Sequence, residues 1–514
     1  MDVDVLLLEA LRVNAQYFGL AAGIGQRRLG ALAHHVAQLA GQDQRSLARH
    51  QVDLDDHQFA AGGRPGRAGG HADLIHVGAN VVGILNSEGK AISGVEKDLD
   101  SELRGRPGSI RGMFDRHGEP ILTLIKSRTP AVPGQDIVLT LDSRIQAAAE
   151  EAVKKQVQQH RARSGQCVVL DIKTGAIRAI AEYPSFDRAV PDRRSLDLLV
   201  PVSLSQVYEP GSTAKLVTAV TALSHRLGNV TCQCTGTIYV GKHRQQRVNC
   251  PCAARFREPG QPVTIAGMLK YSCNSEAWAL ARRMGAEALY EGYKNFRLFE
   301  PIELPGYGVT KPGLLPTREN RDQMWTVTAS FGQGIATTRL HLTRAFAAVA
   351  NGGRMMQPML VSETRSPEGD VIKKYTPRAI ATVASPEHCA TVMQYLVEGV
   401  KDGTGKSAQV NGFTIAGKTG SAQVFDRHGV VPGAFISSFA GIAPADDPAN
   451  AILVSVERPK GSTHGSVVAA PAFKEVAKMA LWCAGKVSRN PVQPAPAPRR
   501  ATNVSERRVA GGHT

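Results

Sequence analysis

The sequence predicts an α+β fold in which helices pack on an antiparallel sheet. A turn at residues 173–176 separates two apolar runs as a hairpin, and helical segments, including 216–223 and 341–350, fill the middle of the chain. Strand-like runs lie on both sides of this helical part, at 168–172, 177–181, 415–424, 437–442 and 451–456. Strands at both ends of a domain with helices between them favour this fold class.

The first 78 residues differ from the rest of the chain in composition. They contain no lysine, many arginine, histidine, glutamine and alanine residues, and a glycine-rich run at 60–70 that would not pack a core. No apolar run approaches the roughly 18–20 residues that a membrane-spanning helix needs. We interpret residues 1–78 as an atypical segment that is not native coding sequence. A disordered extension and a diverged membrane anchor are the alternatives.

Residues 79–163 are predicted to form a structural module. The run at 81–86 is typical of a strand that ends in a turn, and 136–142 predicts a second strand. A long helix is predicted to begin at Ser143, because apolar side chains follow it at helical spacing. These side chains are Ile145, Ala149, Ala152, Val153 and Val157. Residues 487–514 have little to bury and are predicted to be a disordered tail.

The distribution of basic residues argues against one class of function, nucleic-acid binding. A chain of 514 residues is long enough for two or three domains. The net charge of +16 would suit an anionic partner. The basic residues are scattered, however, and aromatic residues do not interleave with them, which argues against a nucleic-acid-binding module. We expect a generally basic surface and no nucleic-acid partner.

A Ser-x-x-Lys motif at Ser212 and Lys215 suggests nucleophilic catalysis. Pro210 and Gly211 end the preceding segment and Ser212 begins a mostly apolar helix. Residues three apart share one face of a helix, so the lysine amine can reach the serine hydroxyl. A lysine whose pKa is lowered can take the proton of the serine. Alone, this spacing is common on surface helices.

Two further motifs follow in order, Ser272-Cys273-Asn274 and Lys418-Thr419-Gly420. The order Ser-x-x-Lys, Ser-x-Asn, Lys-Thr-Gly is the signature set of penicillin-recognising serine enzymes. The chain therefore resembles the class B penicillin-binding proteins, the peptidoglycan D,D-transpeptidases, over roughly residues 79–485. Further segments that resemble the family lie at 165–187, 331–334, 351–353, 403–405 and 470–474.

The resemblance implies a serine β-lactamase/transpeptidase-like fold. Residues 79–163 would be a partial pedestal, of the dimerisation type, and residues 164–486 the penicillin-binding transpeptidase domain. The family normally carries an N-terminal transmembrane helix, which is not visible in this sequence. The implied location is the extracytoplasmic face of the bacterial cell membrane, in cell-wall synthesis for division or cell shape.

The resemblance also implies roles for the motif residues. Ser212 would be the acylated nucleophile and Lys215 its general base, kept uncharged by the nearby charge of Lys418. Ser272 would pass a proton to the leaving amine, and Asn274 would bind a peptide amide. A substrate carboxylate would meet Lys418 and the Thr419-Gly420-Ser421 segment. The backbone N–H groups of Ser212 and Ser421 would form the oxyanion hole.

The implied reaction is acyl transfer from D-Ala-D-Ala stem peptides to an amine of a neighbouring stem, without a cofactor or metal. β-Lactam antibiotics would acylate the same serine. The expected partners are peptidoglycan stem peptides, β-lactams and a glycosyltransferase of the division or elongation machinery. A β-lactamase or β-lactam sensor domain of the same fold, and a non-catalytic cell-wall scaffold, are the alternative functions.

Four cysteines form a Cys-x-Cys…Cys-x-Cys pattern around a predicted hairpin. In one antiparallel register Cys232 faces Cys252 and Cys234 faces Cys250, so two disulfides could form side by side. The family often has a cysteine pair in this region, which supports Cys234–Cys250. We favour disulfides, and a four-thiolate zinc site is the alternative. Cys273 is interpreted as a small buried thiol.

Overall fold

The computed structural model describes residues 52–54, 77–86, 88–117, 120–186, 198–240, 246–250, 252, 262–304, 307–426 and 429–488. The predicted disordered tail beyond residue 488 and most of the segment 1–78 lie outside the described residues. Among the described residues, no helix is both long and apolar enough to cross a membrane.

The helices are α1 (Ala79–Val82), α2 (Gly94–Asp98), α3 (Asp100–Leu103), α4 (Ser143–Gln159), α5 (Val202–Ser205), α6 (Lys215–Ser224), α7 (Ile265–Tyr271), α8 (Asn274–Met284), α9 (Ala286–Asn295), α10 (Gln323–Ala329), α11 (Arg339–Ala350), α12 (Pro386–Lys401), α13 (Gly465–Val468) and α14 (Ala470–Cys483). Short 3₁₀ helices cover Gly211–Ala214, Arg318–Asn320 and Lys406–Ala408.

The strands are β1 (Val52–Leu54), β2 (Ser109–Phe114), β3 (Pro120–Thr129), β4 (Asp136–Leu139), β5 (Ser164–Asp171), β6 (Ile177–Tyr183), β7 (Cys232–Gln233), β8 (Thr237–Val240), β9 (Gln246–Asn249), β10 (Pro262–Val263), β11 (Glu303–Leu304), β12 (Gly308–Val309), β13 (Arg354–Met356), β14 (Val361–Arg365), β15 (Val371–Lys374), β16 (Ala379–Thr382), β17 (Ala416–Asp426), β18 (Gly429–Ala443) and β19 (Asn450–Glu457).

A five-stranded antiparallel sheet forms the centre of the fold, in the order β17-β18-β19-β5-β6. The first and last strands of the domain meet where β19 pairs with β5, for example Val454 with Cys167. Helices of the intervening chain cover the sheet, so the predicted α+β class with an antiparallel sheet is confirmed.

Each face of this sheet carries its own core, because neighbouring residues of a strand point to opposite faces. Leu453 belongs to the core that includes Leu216 of α6. Its neighbour Val454 belongs to the core built with α4 and α14. On that second face the rings of Phe439 and Phe473 meet edge to face, with centroids 4.7 Å apart. The helix that carries the candidate site therefore lies on one defined face of the sheet.

The long helix predicted from Ser143 is confirmed as α4. Asp142 caps it, since its carboxylate accepts hydrogen bonds from the backbone N–H groups of Arg144 at 3.0 Å and Ile145 at 3.3 Å. The apolar side chains predicted to face the core are all buried in the second core. The strand predicted at 136–142 is confirmed as β4.

The strand predicted at 81–86 is wrong. Val81 and Val82 lie in the short helix α1, between Gly78 and Gly83, both with positive φ. The N–H groups of Val81 and Val82 donate to the Gly78 carbonyl, both at 2.9 Å, so their backbone partners are local. Val81 and Val82 are buried in the core that contains Leu139 and Leu170, and among the described residues the run makes a single β-bridge, between Leu85 and Ala91.

Two features cross the predicted domain boundaries. β4 pairs with β14, and Leu139 shares a core with Leu170, so the predicted pedestal and transpeptidase parts are packed together across residues 163 and 164. Within the atypical segment, β1 (Val52–Leu54) pairs in parallel with β4. The division into domains stays a prediction. The two parts on either side of the boundary between residues 163 and 164 share one hydrophobic core.

Candidate active site

Ser212 lies in the 3₁₀ turn Gly211–Ala214, which continues directly into α6. The predicted helix is thus present, but its first turn is tighter than an α-helix. Thr213 fixes this turn by donating its hydroxyl proton to the Pro210 carbonyl at 2.7 Å. Side chains three apart nearly eclipse in a 3₁₀ turn. This places Lys215 Nζ 3.2 Å from Ser212 Oγ.

Lys215 is fully buried and joins two of the three motifs. Its ammonium donates to Asn274 Oδ1 at 2.6 Å, to the Ser272 carbonyl at 2.8 Å and to Ser272 Oγ at 3.3 Å. Burial lowers the pKa of Lys215 to about 8, although the charge of neighbouring cysteines, Cys273 first, acts in the opposite direction. Desolvation is therefore the main cause, rather than the nearby charge of Lys418 that the family resemblance implies.

The junction between two helices positions Ser272 and Asn274. α7 ends at Ser272, which has left-handed backbone angles of φ 62° and ψ 41°, and α8 begins at Asn274. A left-handed conformation is uncommon for a non-glycine residue and clusters at functional sites. The reversal turns both side chains toward Lys215. Asn274 is fixed further because its Nδ2 donates to the Asn249 carbonyl at 3.1 Å.

The third motif lies on β17, an edge strand of the five-stranded sheet. Lys418 is 1 % exposed, and its ammonium donates to the Thr419 carbonyl at 3.1 Å. The Thr419 hydroxyl donates to Thr404 Oγ1 at 3.0 Å, and the Ser421 hydroxyl donates to the Thr463 carbonyl at 2.7 Å. Both hydroxyls assigned to substrate binding are thus held by neighbouring loops.

Glycines let β17 approach the nucleophile turn closely. A Cβ on Gly420 would lie 3.0 Å from Thr213 Cγ2 and 2.4 Å from Ser438 Oγ. A Cβ on Gly211 would lie 2.9 Å from the Ser421 carbonyl oxygen. The structure therefore brings Ser212, Lys215, Ser272 and Asn274 into direct contact and packs the Gly420–Ser421 part of β17 against the same turn.

We expect Gly332→Ala to unfold at a clearly lower temperature than Gly369→Ala. Both glycines have positive φ, so both variants carry backbone strain, but a Cβ at 332 would lie 2.1 Å from the Gly211 carbonyl oxygen. At 369 nothing lies within 4 Å. The clash should add about 1–3 kcal/mol of destabilisation. Thermal denaturation of both variants checks this, and equal midpoints would contradict the close packing.

Glu209 and Thr404 are site residues that are not among those predicted from the sequence. Glu209 Oε1 accepts a hydrogen bond from the Gly334 backbone N–H at 2.8 Å, which ties the nucleophile turn to the Gly-Gln-Gly segment. Burial raises the pKa of Glu209 to about 7. Thr404 lies in the segment 403–405 that resembles the family, which was a usable signal, and Glu209 directly precedes Pro210, Gly211 and the Ser-x-x-Lys motif. Thr463 carried no such signal.

The cysteine hairpin has a different register from the predicted one. β8 and β9 form its arms, as expected, but Thr237 pairs with Asn249. The predicted register would have opposed Thr237 to Arg247. Cys232 lies outside this hairpin, on β7, where it pairs with Val263. The register that supported Cys232–Cys252 and Cys234–Cys250 disulfides is therefore wrong.

Four cysteine sulfurs form a group beside the Ser272–Asn274 segment, to which one of them, that of Cys273, belongs. The Sγ atoms of Cys234, Cys250, Cys252 and Cys273 all lie within 4.8 Å of one another. All eight cysteines of the chain are described, and none is bonded to another. Cys273, interpreted from sequence as a small buried thiol, is buried and belongs to this group. These four side chains could hold a metal ion.

Comparison with known proteins identifies the family. A family model described as the penicillin-binding protein transpeptidase domain matches residues 165–478. Penicillin-binding protein PbpB of Mycolicibacterium smegmatis is 32% identical over 424 residues, which cover 78% of this chain and 63% of that protein. A probable peptidoglycan D,D-transpeptidase, PenA, of Neisseria meningitidis is 29% identical over 417 residues, covering 79% of this chain and 67% of the relative.

A solved structure shows the same relationship. The crystal structure of penicillin-binding protein 3 from Mycobacterium tuberculosis, complexed with aztreonam, matches with a TM-score of 0.68 and 29% identity over 81% of this chain and 90% of that one. The chain spans less than two thirds of the length of the M. smegmatis relative. The matched domain, the fold and the three motifs agree, and the chain belongs to the class B penicillin-binding protein family.

Proposed function

We propose that this chain is a serine-type D,D-transpeptidase that forms peptide cross-links in peptidoglycan and is covalently inhibited by penicillin. The observation that carries the proposal is the buried Lys215 amine, 3.2 Å from Ser212 Oγ and hydrogen-bonded to Ser272 and Asn274. A nucleophile, a base with a lowered pKa and a second hydroxyl within reach of that base are the parts that acyl transfer requires.

The proposed reaction begins when uncharged Lys215 takes the proton of Ser212. Ser212 Oγ attacks the carbonyl carbon between the two D-alanines, and the carbonyl oxygen becomes an oxyanion that the backbone N–H groups of Ser212 and Ser421 bind. When the C–N bond breaks, Ser272 relays the proton from Lys215 to the leaving D-alanine. An amine of a neighbouring stem peptide then attacks the ester carbonyl and gives a proton to Lys215. Lys215 returns this proton to Ser212 Oγ as the ester C–O bond breaks.

The segment from Lys418 to Ser421 is proposed to hold the substrate carboxylate. Lys418 supplies a buried cation and Thr419 and Ser421 supply hydroxyls, all on the edge strand that packs against the nucleophile turn. Gly420 permits that contact because it lacks a side chain. An edge strand can also pair with an extended peptide through its backbone. Asn274 would bind a side-chain or backbone amide of the stem peptide.

Membership of the family supports a proposal about partners and location. The family acts on peptidoglycan and binds β-lactams. We propose that this chain works with a glycosyltransferase of the division or elongation machinery, at the extracytoplasmic face of the bacterial cell membrane. Names of similar proteins support a cell-wall role, since PenA is described as a probable peptidoglycan D,D-transpeptidase.

Stoichiometric acylation tests the proposed function against its alternatives. The purified chain is incubated with fluorescent penicillin and, separately, with the chromogenic cephalosporin nitrocefin. We expect one covalent penicillin per chain, located by peptide mapping on Ser212, and nitrocefin consumption that stops near one equivalent. Sustained nitrocefin turnover would instead indicate a β-lactamase, and the absence of any adduct would indicate a non-catalytic scaffold. Release of D-alanine from a stem-peptide substrate separates a transpeptidase from a sensor domain.

A further inference from the structure

We propose that Cys234, Cys250, Cys252 and Cys273 bind one Zn²⁺ ion through four thiolates. The bound ion would fix the position of the Ser272–Asn274 segment of the candidate active site. The metal site does not depend on the proposed transpeptidase function. Only the effect of the metal on acylation rests on that function.

The distances between the sulfurs fit a tetrahedral zinc site. With a Zn–S bond of about 2.3 Å, the sulfurs of a tetrahedral site lie about 3.8 Å apart. The Sγ atom of Cys250 lies 3.5 Å from that of Cys234, 3.2 Å from that of Cys252 and 3.8 Å from that of Cys273. All four sulfurs lie within 4.8 Å of one another. A small outward adjustment would admit the ion.

The same distances do not single out disulfide pairs. A disulfide requires its sulfurs about 2.05 Å apart. Cys234 Sγ lies 3.5 Å from both Cys250 Sγ and Cys252 Sγ, so neither is preferred as its partner. The predicted partner of Cys252, which is Cys232, pairs with Val263 on another strand. A compact group of four equivalent sulfurs is the arrangement that thiolate-bound zinc adopts.

The surroundings of the sulfurs suit a structural metal site. Cys250, Cys252 and Cys273 are at most 2 % exposed, so the ion would be closed off from water. The backbone N–H groups of Asn274, at 3.0 Å, and Ser275, at 3.4 Å, both point at Cys250 Sγ. Hydrogen bonds of this kind stabilise a thiolate and orient metal ligands. The donors come from the first turn of α8, where the helix dipole also favours negative charge.

The ligands come from three separate parts of the chain. Cys234 follows β7, Cys250 and Cys252 follow β9, and Cys273 lies between α7 and α8. Zinc would therefore tie the hairpin to the helix junction. Because Cys273 lies between Ser272 and Asn274, holding its sulfur also holds the left-handed backbone at Ser272. Both neighbours contact Lys215, so we infer that the ion acts as a positioning element for the catalytic groups.

Metal analysis of the full chain tests the site directly. The protein is purified without added reductant or chelator, and its zinc content is measured by mass spectrometry. We expect about one zinc per chain. After exchange with Co²⁺, the intense thiolate-to-metal absorption and the visible bands of tetrahedral cobalt should report four sulfur ligands in the unmutated protein. Cobalt bands of octahedral type, or iron in place of zinc, would overturn the assignment.

Variants separate the proposed ligands from nearby cysteines. Cys250→Ser and Cys273→Ser should lower the zinc content by about tenfold or more. Cys232→Ser is the matched control, because Cys232 lies beside Cys273 but outside the group of four. Cys483→Ser controls for a distant cysteine. Both controls should keep one zinc, and loss of zinc from Cys232→Ser would overturn the proposed ligand set.

Thiol counting and acylation complete the test. In the zinc-bound protein, four thiols should resist alkylation until a chelator is added under denaturing conditions. A mass lower by two hydrogens for each of two bridges, with no metal, would establish disulfides and overturn the proposal. Removing zinc should slow fluorescent penicillin labelling. If the protein binds zinc but penicillin labelling is equally fast with and without the metal, only the positioning role of zinc is overturned. If the zinc-bound protein is not labelled by penicillin at all, only the proposed function is overturned.

Discussion

Ser212→Ala is expected to lose covalent penicillin labelling completely and to keep its fold. The hydroxyl is the atom that would form the ester, and removing a serine nucleophile costs about 10⁶-fold in comparable hydrolases. Among the described residues, the hydrogen bond that the Ser212 side chain would lose is the one from the Lys215 ammonium at 3.2 Å. That ammonium keeps its bonds to Asn274 and Ser272. Fluorescent penicillin labelling followed by gel imaging measures the loss.

Ser224→Ala is the matched control for this variant. Ser224 is the last residue of α6, the helix that continues from the Ser212 turn. Its hydroxyl donates to the Val220 carbonyl at 3.0 Å and lies 3.4 Å from His388 Nδ1. Its removal should leave labelling within about twofold of the wild type, because surface-side substitutions of this kind cost little. Labelling that survives in Ser212→Ala, with the adduct mapped to another residue, would refute the assignment of the nucleophile.

Local sequence signals predicted the parts of the fold whose conformation is determined by contacts between residues close in sequence. The hairpin β5–β6 follows from two apolar runs and a turn between them, and α4 follows from its apolar spacing and from Asp142 at its start. The strand predicted at 81–86 is wrong because an apolar stretch of that length fits a buried strand or a buried helix equally well. Its conformation depends on Gly78 and Gly83 and on distant core residues.

The candidate site shows the same division between local and distant determinants. The contact between Ser212 and Lys215 follows from a spacing of three residues. The burial that lowers the pKa of Lys215 is a tertiary property that no spacing reveals. The cysteine group is the clearest case, because nothing local relates Cys273 to Cys250. Only the packing of the hairpin against the α7–α8 junction brings their sulfurs to 3.8 Å.

Lys215→Arg and Lys215→Met are expected to show the second largest loss, with acylation by penicillin slower by about 10²–10⁴-fold. Arginine keeps the positive charge and the donors but does not deprotonate in proteins, so it cannot act as a base. Methionine keeps the length and apolar stem of lysine and removes the amine. If the amine acts as the base, both variants must fail, although they differ in charge. Stopped-flow measurement of the acylation rate gives the size of the loss.

The pH dependence separates a base from a residue that only supports the site. The base must be uncharged, and burial lowers the pKa of Lys215 to about 8. The wild-type acylation rate should therefore rise with pH and reach half of its maximum near pH 8, whereas the residual rate of Lys215→Met should be flat there. Lys294→Met, at an exposed lysine paired with Glu291, should keep the wild-type profile. A wild-type rate that falls across this range would exclude Lys215 as the base, because a structural ammonium works only while it is charged.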